Sequence, residues 1–361
     1  MKRWLVVGWV VLGSVMAATC AMAQRAAPGV TVEASLPALA ADIKLTSVSG
    51  ISSGAYMAGQ YQFAHGKTVV GAAIIAGGPY GCAEARYGAF LPGPTRLMMN
   101  ASQSVNGCML NALSWYGIPN AASLADHARE MAEAGKIDPI AELARHRIYL
   151  FSGGADQVVK HQIVIAAAEV YLRLGVPKEH MKTGPVLEAG HGFVTEPATG
   201  DCGSSASPFV VHCGYDQAGD LLAHIYGRLE PRVLVAKGYL IAFSQKPFVE
   251  GLFGASMAEN GAAYIPAACR EKAGCRVHVA FHGCQQAQKT VGDAFVSGTG
   301  FAAWADTNKI ILLFPQVDAD PFVNPKGCWD WWGYTGFDYL TRNAPQIVAV
   351  HRMVERLSAK Q

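Results

Sequence analysis

The stretch Leu45-Thr46-Ser47-Val48-Ser49-Gly50-Ile51-Ser52-Ser53-Gly54-Ala55-Tyr56-Met57-Ala58 decides how this chain reads. An alternating β-type run to Ser49 meets a turn of small residues, and a helix-like run through Tyr56, Met57, Gln60 and Phe63 follows. A strand, a tight turn with a central serine and a helix together make a nucleophile elbow. Small neighbours are needed there because the backbone is strained and closely packed. The turn lifts one hydroxyl clear and aims the next backbone N–H at the oxyanion formed on attack at a carbonyl. Ser52 fits G-x-S-x-G, with Gly50 and Gly54 two residues to either side; Ser53 has Ile51 and Ala55 at those offsets. A plain Ser/Gly connector fits the pentapeptide alone equally well.

Ahead of this unit lies a targeting segment. Lys2 and Arg3 precede an apolar run from Trp4 to Ala18, and Ala21-Met22-Ala23 is a small-x-small cleavage site. The run is short for a spanning helix, and Thr19 disfavours a lipoprotein site at Cys20. The reading is a signal peptide over 1–23, an Ala- and Pro-rich leader with little structure over 24–42, and one catalytic domain over 43–361 with no separate substrate-binding domain. Loss of Lys2 and Arg3 takes the formal charge from +2 to zero. A balanced surface argues against nucleic acid and against an anionic membrane as partners. Charged residues make up 16% of the chain and apolar ones 51%, enough for one large core.

Nine cysteines are encoded, and Cys20 leaves with the signal. An even remainder in an exported protein suggests disulfides, whose connectivity sequence does not fix. Neighbour pairing gives Cys82–Cys108, Cys202–Cys213 and Cys269–Cys275, and leaves Cys284 with Cys328. No C-x-x-C or H-E-x-x-H spacing supports the rival reading of a metal site.

Along the chain, Val69–Ala76, Arg147–Phe151, Pro185–Glu188, Val233–Phe243, Ala262–Pro266, Arg276–Phe281 and Ile310–Phe314 read as strands. Helical spacing runs over Ala121–Arg145, Ile163–Leu174, Ala218–Leu229 and Ile347–Leu357. Alternation of this kind implies a mostly parallel sheet covered on both faces. Three candidate catalytic elements sit at turns directly after strands, where open α/β sheets place ligands: Ser52/Ser53, Asp156 and His191. Ser…Asp…His is the chain order of α/β-hydrolases, with the histidine as proton carrier and the aspartate holding its tautomer. Singly, Asp156 reads as a helix cap and His191 as a loop histidine; the ordered set at strand ends is what carries weight. Asp201 and Asp216 follow no clear strand. His282-Gly283-Cys284 is a His-Gly turn of the kind that forms an oxyanion loop, but such a turn normally precedes the nucleophile. Either the match is accidental, or the fold is circularly permuted, with the early strands appended at the C-terminus.

Ser49–Ala58, Ala76-Gly77-Gly78-Pro79-Tyr80, Val279-Ala280-Phe281-His282-Gly283-Cys284 and Gly327-Cys328-Trp329-Asp330-Trp331 resemble the single-domain extracellular poly(3-hydroxybutyrate) depolymerases. The resemblance spans about Leu45 to Trp332 and implies a circularly permuted α/β-hydrolase. In that family the nucleophile is the serine before Gly-[Gly/Ala]-Tyr-Met, here Ser53. The position before it, commonly Ala, is Ser52. The resemblance further implies Asp156 and His191 as acid and base, and an oxyanion hole from the N–H groups of Gly54 and Cys284. Trp329, Trp331, Trp332 and Tyr334 are core aromatics on one reading. On the other they line an apolar crevice for polyester, and the resemblance favours the crevice for at least one of the three tryptophans. The expected activity is a secreted, extracellular or periplasmic, monomeric serine esterase. It needs no cofactor or metal and acts on poly(3-hydroxybutyrate) or its oligomers. A carboxylesterase for feruloyl or short acyl esters, and a non-catalytic binder on the same scaffold, are the alternatives.

Overall fold

The elbow stretch forms strand β2 (Thr46–Ile51) and helix α1 (Ser53–Ala64). The structure, a computed structural model, describes residues 31–33, 35–85, 90–196 and 200–360. The signal segment 1–23 lies outside the described residues. The other strands are β1 (Thr31–Glu33), β3 (Val69–Ile75), β4 (Arg147–Phe151), β5 (Met181–Thr183), β6 (Phe193–Thr195), β7 (Val210–His212), β8 (Tyr239–Ser244), β9 (Asn260–Ile265), β10 (Arg276–Phe281) and β11 (Ile310–Phe314).

Among the described residues, nine of these strands form one sheet in the order β1-β8-β9-β11-β10-β2-β3-β4-β5. All pairs are parallel except the two made by β9. β6 and β7 form a small parallel pair of their own. Side chains alternate between two cores, as period-two strands require. Val48, Ile74, Leu150, Val279 and Leu313 face one core, and Ile51, Ile75, Phe151, Ala280 and Leu312 face the other. Helix α1 is buried along its whole length, because the loops after β3 and β11 close over the side it turns away from the sheet.

The sheet order displays the permutation. β3, β4 and β5 follow β2 outward on one side, while β10, the immediate neighbour on the other, comes from the second half of the chain. The two ends of the domain meet, as permutation requires. Leu39 and Ala41 N–H both donate to Leu357 O at 3.1 Å, at the end of the helix Pro345–Ser358.

That contact also corrects, for its described part, the expectation of a leader with little structure over 24–42; residues 24–30 lie outside the described residues. Thr31–Glu33 pairs with β8, and Leu36, Leu39 and Ala41 are buried. Their apolar side chains, spaced among small residues, cover the last helix. A second correction concerns Pro185–Glu188, which is not a ladder strand; the edge strand is Met181–Thr183. Pro185 has no N–H to offer a ladder. The segment instead uses its carbonyls, with Leu187 O accepting from Gly154 N at 2.7 Å. The helical run after Ala121 ends at Glu133, and Ile140–Arg145 is a 3₁₀ turn after Pro139. No helix among the described residues is long and apolar enough to cross a membrane.

Candidate active site

The site lies at the carboxyl ends of β2, β4, β5 and β10. At the end of β2 the backbone turns sharply: Ser52 has φ 58° and ψ −123°. A non-glycine residue held there costs about 1–3 kcal/mol, so the surrounding packing must enforce it. Two glycines permit that packing. A Cβ on Gly50 would lie 2.1 Å from Gly54 O, and one on Gly54 would lie 2.3 Å from Phe281 O. Glycine at both positions lets α1 start directly over its own strand and lets the end of β10 come against the first turn.

Ser52 therefore occupies the strained apex, and Ser53 is the first residue of the helix. Ser52 is 8% exposed and Ser53 1%. Ser53 Oγ faces inward and accepts from Trp329 N–H at 3.4 Å. The apex of an elbow is the position that presents its hydroxyl, and Ser52 stands there while Ser53, the expected nucleophile, opens the helix. The N–H that follows the apex belongs to Ser53, not Gly54. As the first N–H of a helix, it has no partner in the intrahelical ladder.

Asp156 and His191 are brought together by their backbones. Gly154 and Ala155 N–H donate to Leu187 O and Ala189 O at 2.7 and 3.0 Å, zipping the turn after β4 to the turn after β5. His191 Nδ1 then lies 2.8 Å from Asp156 Oδ2. Asp156 Oδ1 accepts from Val158 and Val159 N–H at 2.8 and 3.0 Å, which fixes the carboxylate. Both side chains are buried. Asp156 is thus turn cap and histidine partner at once. Asp201 and Asp216 stand apart: Asp216 caps the helix Gln217–Tyr226 and accepts from Trp304.

The turn His282-Gly283-Cys284 completes the site. A Cβ on Gly283 would lie 3.4 Å from Ser52 Cβ, so this turn rests on the elbow. His282 is fully buried, and burial pushes it down to about 4, which keeps it neutral. Its Nε2 accepts from Val317 N–H at 3.4 Å, leaving Nδ1–H to donate to Gly283 O at 2.7 Å. The Cys284–Cys328 bridge is formed, with a Cα–Cα distance of 4.2 Å, and it fastens the turn to the Trp loop. The pairs Cys82–Cys108, Cys202–Cys213 and Cys269–Cys275 are formed as well. No group of three or more His, Cys, Asp or Glu able to hold a metal occurs among the described residues.

The tryptophans divide. Trp329 is fully buried, edge-on to Phe281 at 5.0 Å, and Trp331 is buried in a stack on Tyr56 at 4.0 Å. Core aromatics cover both rings, as the core reading of this run expects. Trp332 is half-buried, packs on Tyr334 at 4.8 Å, and keeps open surface. The loop is organised by Asp330, which the sequence reading passed over. Its carboxylate accepts from the N–H groups of Trp332, Gly333, Tyr334 and Thr335 and from the Thr335 hydroxyl, at 2.6–3.2 Å. Burial pushes this carboxyl up, against those five donors.

An elbow serine, a buried histidine–aspartate pair and a strand-end turn against the elbow, on this sheet order, define an α/β-hydrolase of the serine type. No protein-family model matches the chain. It is 36% identical over 348 residues to a poly(3-hydroxybutyrate) depolymerase of Delftia acidovorans, covering 95% of this chain but 65% of that protein's length. It is 33% identical to a polyhydroxybutyrate depolymerase of Talaromyces funiculosus, covering 89% of this chain and 92% of that one. A crystal structure of a PHB depolymerase from Penicillium funiculosum superimposes with a TM-score of 0.77 at 31% identity, over 91% of this chain and all of the other. A serine-to-alanine variant of a PHB depolymerase complexed with an R3HB trimer matches with the same TM-score and coverage at 29% identity. The chain belongs to the poly(3-hydroxybutyrate) depolymerase family.

Proposed function

We propose that this protein is a serine esterase that hydrolyses poly(3-hydroxybutyrate) or its oligomers through an acyl-enzyme, with Ser52 as nucleophile. The observation that carries the reading is the strained apex at Ser52, at the same carboxyl edge of the sheet as a histidine whose Nδ1 is held 2.8 Å from a buried carboxylate. Asp156 fixes His191 with its proton on Nδ1 and leaves Nε2 free to accept one. Ser52 Oγ attacks the ester carbonyl as Nε2 takes its proton. The tetrahedral oxyanion is met by the Ser53 and Cys284 N–H groups, fixed by the helix and by the bridge, so no reorganisation is needed during the reaction. The imidazolium then protonates the leaving alkoxide. In the second half His191 activates water and the acyl group leaves Ser52 as the free acid.

The substrate class rests on the relatives' names and on the trimer complex of the structural neighbour. The half-buried Trp332, four residues past Cys328 of the bridge, supplies apolar surface for a polyester chain. Four disulfides suit an oxidising compartment outside the cytoplasm. Monomeric action on the polyester, with no nucleic-acid or membrane partner, completes the proposal. Clearing of a polymer suspension by wild type and its loss in Ser52→Ala tests it. Turnover of p-nitrophenyl butyrate with no clearing and no release of 3-hydroxybutyrate oligomers would instead indicate an esterase for small soluble esters.

A further inference from the structure

Gln286 lies two residues past Cys284 and is 1% exposed. A side-chain amide offers one acceptor and two donor hydrogens, and here all are engaged. Oε1 accepts from Gly283 N–H at 2.7 Å. Nε2 donates to Pro208 O and Phe209 O, both at 3.0 Å. The partners fix the amide's orientation: an N–H stands on one side and two carbonyls on the other, so a flipped amide would set like against like.

What the two sides belong to gives the amide its significance. Gly283 is the middle of the turn that rests on Ser52, and the next N–H along is that of Cys284. The 202–209 segment wraps His191. Cys202 O accepts from Gly190 N–H at 2.8 Å, and Ser205 Oγ accepts from His191 N–H at 2.8 Å. The Phe209 ring meets the imidazole edge-on, and Phe209 O takes a second hydrogen bond, from Phe193 N–H at 2.8 Å. One buried amide therefore spans the oxyanion side and the base side. The far side of the oxyanion turn is held by the Cys284–Cys328 bridge and by Gln285 N–H donating to Lys326 O at 2.7 Å.

We propose that Gln286 is a positioning residue that sets the distance between the oxyanion turn and the loop carrying His191. This rests on the serine-esterase reading of the site. Gln286 touches no reacting atom in that scheme. It acts on Gly283 and on Pro208–Phe209, and through them on where the Cys284 N–H and the imidazole stand. Misplacement by about 1 Å costs on the order of 100-fold in rate, and removing one oxyanion donor costs on the order of 100- to 1000-fold.

The test uses the full protein with Gln286→Met, which keeps length and bulk but makes none of the three hydrogen bonds. Gln286→Asn, one methylene shorter, reaches one side only. With p-nitrophenyl butyrate, kcat should fall about 100-fold in Gln286→Met while KM stays near the wild-type value. Affinity for an alkyl boronic acid, which forms a tetrahedral adduct on the nucleophile, should fall by a similar factor. A role confined to folding would lower the active fraction and leave the boronate affinity of that fraction unchanged, and this result would overturn the proposal. Wild-type kcat in either variant would overturn it too. If Gln286→Met does not fold, Gln286→Asn carries the same readouts. A wild type inert toward ester and boronate would remove the serine-esterase reading and this inference with it; a reactive wild type with indifferent variants removes this inference alone.

Discussion

Acid should destabilise this protein steeply, because three of its histidines are sealed in the fold without charge. His146 Nε2 lies 2.9 Å from Gly66 O and its Nδ1 3.0 Å from Gln62 Nε2. His278 lies between Ser47 Oγ at 2.6 Å and Ser49 Oγ at 2.8 Å. His282 lies between Gly283 O at 2.7 Å and Val317 N–H at 3.4 Å. All three are fully buried. Burial, aided at His146 by Arg145, pushes them down to about 4, 3 and 4 respectively. In the unfolded chain each titrates near ~6.5. The folded values lie below the unfolded ones, so the unfolded state binds more protons. The stability they contribute is fully present above ~6.5 and is lost as pH falls towards the folded values. Between pH 6 and 5 unfolding takes up nearly one proton per histidine, so the three together lower stability by about 3–4 kcal/mol per pH unit. Most carboxylates stay ionised in that window. Equilibrium urea unfolding with the disulfides intact reads this directly, and the midpoint should drop by about 1 M from pH 6 to pH 5. A midpoint that is flat from pH 7 to pH 5 would refute the claim that these imidazoles are excluded from protonation in the fold.

Four further outcomes follow from the site. Trp332→Ala should reduce clearing of polymer far more than turnover of p-nitrophenyl butyrate. Trp329→Ala should lower both in parallel and cost about 3–5 kcal/mol of stability, read from urea midpoints. Asp330→Ala leaves four backbone N–H groups without their acceptor and should destabilise by several kcal/mol, at about 1–3 for each buried donor stranded. Cys328→Ser frees the oxyanion turn, so both activities should fall together with their ratio unchanged; a shift in the ratio would assign the bridge to substrate binding instead.

Much of this was legible in the sequence because it is local. The apolar runs of β3, β4, β10 and β11 are continuous and end in Gly-rich turns, so strand ends and the residues just beyond them could be located. Asp156 and His191 followed from that placement. The late His282-Gly283-Cys284 turn pointed to the permuted order that the pairing of β10 with β2 displays. The register of the elbow was decided differently. Family spacing pointed to Ser53, whereas the literal Gly50-x-Ser52-x-Gly54 pattern marked the residue with positive φ. Gly50 and Gly54 follow the steric demands of that apex, a demand the pentapeptide carries by itself. Burial of Trp329 and Trp331 could not be read, since an aromatic run serves core and crevice alike, and the outcome depends on Tyr56 and Phe281 arriving from other elements. Asp330 and Gln286 were missed for a related reason. Their roles are networks of hydrogen bonds to backbone atoms, and such networks leave no residue pattern. The folding of the described part of the leader left no local sign, because Leu39 finds its partner, Leu357, at the far end of the chain.

The central claim is that Ser52, held at the apex of the elbow, is the residue that attacks. Reaction with an alkyl fluorophosphonate, followed by peptide fragmentation that separates the adjacent serines, measures this directly. One phosphonyl group should appear on Ser52, with no label in Ser52→Ala and retained labelling in Ser53→Ala. A phosphonyl group on Ser53, with Ser52→Ala still labelled, would contradict it.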